Sequence, residues 1–500
     1  MNKRKFIKIP ALATAASLAI VFAACNANIN TSSSSSESVS ETVATTTEET
    51  TESTTEVTET QKALITEADI TINEEITSSA DSEHAIEASG ETASYSNIKV
   101  TKTGDSDSGD EADFYGDNSA VFATDGATLT LSNVVVDTDG KHANAVFSYG
   151  EGTTVNISDS VIITSGNCSG GIMTTGGGTM NATNLNIHTT GNSSAAIRSD
   201  RGGGTVNVTG GSYVTEGKGS PAIYSTADIT VSDATLESTV SEGIVVEGKN
   251  SVTLNNVDLI ADNNQKNSDK SSVYKAVMIY QSMSGDASVG MAEFTMTDGS
   301  ITNKNGDIFY VNNTVATITL ENVEIVNQDA EGIFLRAEAA GWGSEGKNGG
   351  KVNLYLTNQT LEGDIAVDDI SALNMYLTSG TTYTGTINGD NEGEVYVEIE
   401  SGSKWVLTGD SYVTSLTCDA DAIDLNGHTL YVGGTAYSAG STSAGEAIVL
   451  STSSSEGQGN QGGAPGDKPG DPPSGERPDK PGEGNDGPGD GREPPPKPEE

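Results

Sequence analysis

The chain has 500 residues, 25 of them basic and 71 acidic, for a net charge of −46, and only 5% are aromatic. So large a negative charge excludes nucleic acid and anionic lipid surfaces as electrostatic partners. Three cysteines exclude a disulfide framework, and 58 glycines with so few large rings exclude a core of the usual aromatic kind.

At the N-terminus, Lys3, Arg4, Lys5 and Lys8 precede an apolar run from Ile9 to Ala24 that is short for a membrane span. Residues 1–25 therefore read as a secretory signal. The run ends Ala23-Ala24-Cys25, which resembles the lipobox of bacterial lipoproteins. That resemblance implies lipidation of Cys25 and a place on the outer side of the membrane, held by lipid alone. Simple cleavage and secretion is the alternative. Residues 26–61 read as a disordered tether: from Thr31 to Thr60, 19 of 30 residues are Ser or Thr and 7 are Glu.

Residues 62–450 carry 16 basic and 53 acidic side chains, or −37. They also carry an internal repeat. LTLSNVVVDT (from Leu129) aligns with segments starting at Val155, Met180, Val206, Ile229, Val252, Phe294 and Ile318. The fifth position is Asn133, Asp159, Asn184, Gly210, Asp233, Asn256, Asp298 or Asn322, all residues that tolerate the left-handed backbone of a tight corner. The eighth is Val136, Ile162, Ile187, Tyr213, Leu236, Leu259, Ile301 or Ile325, as an inward strand position requires. A second ladder, a small residue before Ile or Val, runs through Ile86, Val121, Val146, Ile172, Ile197, Ile223, Ile244, Val277, Ile308, Ile333 and Ile365. This period, with short β-branched strands, predicts an all-β, single-stranded parallel β-helix of about 13 or 14 coils spaced ~4.8 Å apart. The segments at Leu373, Glu394 and Ile423 keep the alternation loosely and read as closing coils, with Trp405 packed at that end. Residues 451–500 are rich in Gly, Pro and acid and read as a second disordered segment.

The runs GDEADFYGDNSAVFATDGATLTL, SAAIRSDRGGGTVNVTGGSY, SPAIYSTADITVSDATLES, EGKNSVTLNNV, YQSMSGDASVGMAEFTMTDGSI and LTGDSYVTSL resemble bacterial adhesin-like surface proteins of the broad pectin-lyase-like superfamily. The resemblance implies a right-handed parallel β-helix at the cell surface. It assigns no catalytic residue.

Four features carry candidate chemistry. Asp105, Asp107, Asp110, Glu111, Asp113 and Asp117 crowd one insertion and offer oxygens to calcium, against the reading of a solvated acidic loop. Arg198, Asp200 and Arg201 lie at a coil corner, where an arginine serves as base in β-helix lyases or bridges acids of adjacent coils. Asp368-Asp369 matches one element of the polygalacturonase type, but the Gly-His-Gly is missing. Trp342 on a Gly-rich loop, with Tyr280, Tyr274 and Met283 nearby, suits ligand binding or the covering of apolar surface. Cys168 and Cys418, many coils apart, read as isolated apolar fillers. The expectation is a lipid-anchored adhesin-like protein that binds a glycan or a surface protein of another cell or host through its loops, without catalysis. A calcium-dependent polysaccharide lyase or glycoside hydrolase is the alternative, and a structural envelope spacer is a third reading.

Overall fold

The computed structural model describes residues 64–451. The signal with Cys25, the tether and all but the first residue of the C-terminal segment lie outside the described residues. Each coil is a short strand, a tight turn, a long bent strand and a return turn. Val121–Thr124 with Thr128–Thr138, then Val146–Tyr149 with Thr154–Thr164, is one such succession. The short strands stack into an 11-stranded parallel sheet in strict chain order, from Ile86–Ser89 to Ile365–Val367. The long strands form a 17-stranded sheet. This is a parallel β-helix.

The first ladder is the observed register. Leu129 pairs with Val155, and the column continues through Met180, Val206, Ile229, Val252, Phe294 and Ile318. All eight residues at the fifth position have positive φ, between 47° and 71°, and bend the long strand toward the next wall. Their side chains also stack. The amides of Asn184, Asn256 and Asn322 donate to Asp159, Asp233 and Asp298 of the neighbouring coil at 2.6–2.8 Å. Alternating a donor with an acceptor on a left-handed corner satisfies both the backbone and the side chain.

The eighth position is buried from Val136 to Ile301, but Ile325 is half-buried. Its strand Glu324–Asn327 pairs with Ser300–Asn303 on one side. On the next coil, Thr360–Glu362 turns instead into a separate four-stranded sheet. Gln359 closes the gap, accepting from Val323 N–H at 2.9 Å and donating to the carbonyl of the same residue.

The second ladder needs two corrections. Val277 pairs with Phe309, not Ile308, and the next residue in the column is Leu335, not Ile333. A buried aromatic cluster sets this register: Phe309 meets Phe294 edge-on at 5.4 Å and Phe334 at 5.6 Å.

A turn motif also escapes the strand alignment. Thr164-x-Gly166-x-x-Ser169, Thr189-x-Gly191-x-x-Ser194 and Thr215-x-Gly217-x-x-Ser220 are successive return turns. Each serine hydroxyl accepts a backbone N–H of the coil before it, at 2.9 Å throughout (Ala143, Ser169, Ser194). Each threonine hydroxyl donates to the serine carbonyl of its own turn. The glycines stack so closely that a Cβ on Gly191 would lie 1.9 Å from the carbonyl oxygen of Gly166.

The C-terminal coils close the helix. Ser415–Cys418 takes the next place in the long sheet, whereas Ile423 pairs with Trp405 in the four-stranded sheet. Trp405 is buried, and its indole N–H donates to Gly385 O at 2.9 Å. Antiparallel pairs, Thr417–Cys418 with Ser443–Ala444 and Tyr431–Val432 with Thr435–Ala436, end the stack. Cys418 is buried as expected. Cys168 is not a filler: it is half-buried beside Asp113 and His142.

Candidate functional site

The middle residue of each short strand points outward, and register stacks these residues into one column. It runs Phe122, Phe147, Met173, Arg198, Tyr224, Val245, Met278, Tyr310 and Arg336. Most of this apolar wall is buried because the long insertions fold over it. The insertion after Gly104 supplies the helix Gly109–Tyr115 over Phe122, Phe147 and Arg198. Segments 263–274 and 339–350 cover Tyr224 through Tyr310, and 281–290 packs beside them at Gly248 and Lys249.

Side-chain and backbone contacts tie the insertions to one another and brace the last one internally. Arg201 forms an ion pair with Asp286 at 2.6 Å and lies over the Phe114 ring at 3.9 Å. Gly341 N–H donates to Lys270 O, and the Asn348 amide donates to the carbonyls of Ala340 and Trp342.

Under the first insertion, Arg198 spans Asp113 (3.4 Å) and Asp200 (3.0 Å). Burial works against the guanidinium charge, but the two acids outweigh it and hold its pKa above the usual value. The acids respond unequally. Burial pushes Asp200 up to about 6 despite Arg198. For Asp113, Arg198 and His142 overcome burial and hold the carboxyl below its usual range. Arg198 thus bridges buried acids, with partners on the inserted helix and its own strand rather than on adjacent coils.

The remaining acids of the insertion are dispersed, and of Asp105, Asp107, Asp110 and Asp117 only Asp110 lies on the helix. Asp105 accepts Lys141 N–H at 2.7 Å, Asp117 accepts the Ser106 hydroxyl at 3.3 Å, and Asp107 and Asp110 face solvent. Among the described residues, the group of three or more acids, histidines and cysteines whose donor atoms converge is Asp113, His142 and Cys168.

Segments 263–274 and 339–350 build a pocket. Tyr224, Met278, Tyr280 and Trp342 line it together with Glu242 and Lys275, enclosing about 90 Å³. Trp342 is half-buried and meets Tyr280 edge-on at 5.3 Å, so the loop folds inward instead of displaying the ring freely. On the same outward face, the hydroxyls of Tyr224 and Tyr280 both donate to one oxygen of the buried Glu247. Lys275 is buried at the pocket floor, which lowers its pKa, and lies 3.7 Å from Glu242. The Asn263 amide oxygen, buried in the pocket lining, has no donor among the described residues. Tyr274 lines the same pocket, while Met283 is exposed on the 281–290 segment.

Farther along the column lies a cleft of about 430 Å³, lined by Arg336, Glu338, Asp364, Asp368, Asp390 and Glu392. Burial raises the Glu338 pKa. Asp368 accepts Ala339 N–H at 2.7 Å, anchoring the Trp342 loop, while Asp369 is exposed.

Fold and site together define a parallel β-helix whose insertions converge on the outward face of its short sheet and enclose an aromatic pocket there. The chain is similar to the autotransporter adhesin/invasin TibA of Escherichia coli O78:H11, 27% identical over 155 residues, which take in 27% of this chain and 14% of TibA. No family model and no solved structure matches. Among the described residues no helix is long and apolar enough to cross a membrane.

Proposed function

We propose that this chain is an adhesin-like protein of the bacterial cell surface, anchored by lipid at Cys25, that binds a glycan at the Trp342–Tyr280 pocket. One observation carries the reading: separate insertions close over one aromatic pocket whose floor holds a buried lysine paired with a glutamate and an amide oxygen without a donor among the described residues. Aromatic faces stack on sugar rings, and the polar floor supplies orientation. The likeness to a stretch of an adhesin supports the surface role.

The test screens the chain against immobilised polysaccharides, mucins and matrix glycoproteins, with calcium and with EDTA. Trp342→Ala removes an anchor of the kind worth about 2 kcal/mol, so retention falls about thirtyfold. Loss of retention in EDTA that calcium restores and zinc does not supports calcium on the acidic insertion containing Asp105–Asp117. Retention that is indifferent to Trp342 overturns the pocket assignment, and no retention at all favours a spacer. The acidic cleft supports a second reading, a glycoside hydrolase, because the raised Glu338 faces further carboxylates there. Oligosaccharide released in the same wells would establish it.

A further inference from the structure

We propose that Asp113, His142 and Cys168 form a binding site for a divalent transition-metal cation of the zinc class. The three lie far apart in sequence, and two features of the fold bring them together. His142 and Cys168 are 26 residues apart and occupy the same place in successive return turns. Asp113 comes from the helix of the first insertion, which packs against His142: a Cβ on Gly109 would be in ordinary contact with the imidazole ring, at 3.4 Å. One donor atom from each residue lies within 4.8 Å of the other two.

The position shared by His142 and Cys168 is unusual for such residues. The backbone there is left-handed, with φ of 56° and 57°. The coils that follow fill it with Ser193 (54°) and Gly219 (66°), and an earlier turn uses Ser82 (54°). A branch-free turn needs neither an imidazole nor a thiol. Residues in left-handed conformations that the turn does not require point to function. Here two such residues stack directly, under a carboxylate that an inserted helix delivers.

The donor set selects the ion. One sulfur, one nitrogen and one carboxylate oxygen suit zinc, cobalt or a related ion in tetrahedral coordination. Calcium requires six to eight oxygens, which this group does not offer. Tetrahedral bonds of ~2.0–2.3 Å place donors roughly 3.3–3.8 Å apart, so the present group closes by about 1 Å around an ion. The half-buried Cys168 leaves the fourth position open to water.

The surrounding charge favours a dication. With the thiol ionised by the metal, Asp113, Asp200 and Cys168 would place three negative charges near the two positive charges of Arg198 and Lys141. Arg198 also fixes the Asp113 carboxylate, as groups behind metal ligands commonly do.

The test titrates cobalt(II) into the chelator-stripped full chain and reads the near-ultraviolet thiolate-to-cobalt charge-transfer band. The band should rise to saturation at a single equivalent and be displaced by zinc but not by calcium. Cys168→Ser, which installs the residue found at Ser193 one coil on, should abolish it. His142→Asn keeps a residue suited to left-handed backbone and should weaken cobalt binding tenfold or more. Circular dichroism and melting of the stripped variants establish that both remain folded. Absence of the band in the parent chain, its persistence at full height in Cys168→Ser, or displacement by calcium as readily as by zinc overturns the proposal.

Discussion

Replacing Arg198 by Met separates a structural tie from a functional arginine. The preceding residue of the outward column is Met173, so the substitution fits the wall sterically. What it removes is the cation between two carboxylates whose side chains are 18% and 9% exposed, Asp113 and Asp200. Asp113 keeps His142 at 3.3 Å, but Asp200 loses its ion-pair partner. A stranded carboxyl escapes by taking up a proton. Protonating it at pH 7, about one unit above the pKa of about 6 that it has beside Arg198, costs about 1.4 kcal/mol relative to the parent. The lost attraction of Arg198 for both acids adds to that figure, toward the roughly 3–5 kcal/mol typical of a broken buried pair. We expect Arg198→Met to lose about 3–4 kcal/mol in urea denaturation at neutral pH, measured in EDTA so that no metal contributes.

The pH dependence follows from the raised Asp200. The folded chain binds a proton there that the unfolded chain has already released between 3.8 and about 6. The associated stability is therefore fully present below that window and is lost as pH rises through it. Without Arg198 the upper edge of the window moves higher, so the variant recovers stability on acidification across a wider range than the parent. Arg198→Met/Asp200→Asn removes both charges and should regain most of the loss. A loss under about 1 kcal/mol for the single variant, or no recovery on acidification, refutes the buried-tie reasoning.

Three further outcomes follow from the coil geometry. Ser194→Ala strands the buried Ser169 N–H and should cost about 1–3 kcal/mol, whereas Ser193→Gly at the exposed neighbouring position should stay within about 0.5 kcal/mol, both by chemical denaturation. At the left-handed corner, Asn184→Gly should be milder than Asn184→Val by about 1–2 kcal/mol, since both lose the bond to Asp159 but only valine strains the backbone. Gly191→Ala puts a methyl group 1.9 Å from Gly166 O, and hydrogen exchange should show the loosening concentrated in these two coils.

The coil was legible because it repeats. A column needs the same physical property at each level, so Asn, Asp or Gly at the fifth position and a large apolar residue at the eighth reveal both corner and wall. The ladder slipped at Ile308 and Ile333 where packing, not pattern, chose the register: one residue on, Phe309 could join Phe294 and Phe334. The serine–threonine turn was also written in the sequence, as Thr-x-Gly-x-x-Ser at the coil period. It is polar, and an alignment that looks for buried apolar residues passes over it.

The site was less legible because insertions do not repeat. Composition marked the acidic run at Asp105–Asp117 as one feature, yet a two-turn helix sends neighbouring carboxylates in different directions: Asp113 inward to Arg198, Asp110 to solvent. The pairing of Trp342 with Tyr280 was within reach, because both flank insertions on the same side of the coil. The group Asp113, His142 and Cys168 was not, since its third member depends on where a helix lands. A signal for the other two did exist. Once the return turns are stacked, His142 and Cys168 fall at one left-handed position where neighbouring coils carry Ser or Gly. In a solenoid the residue that departs from its own column is therefore the better guide to chemistry: the column states what the fold needs, and the departure must be explained by something else.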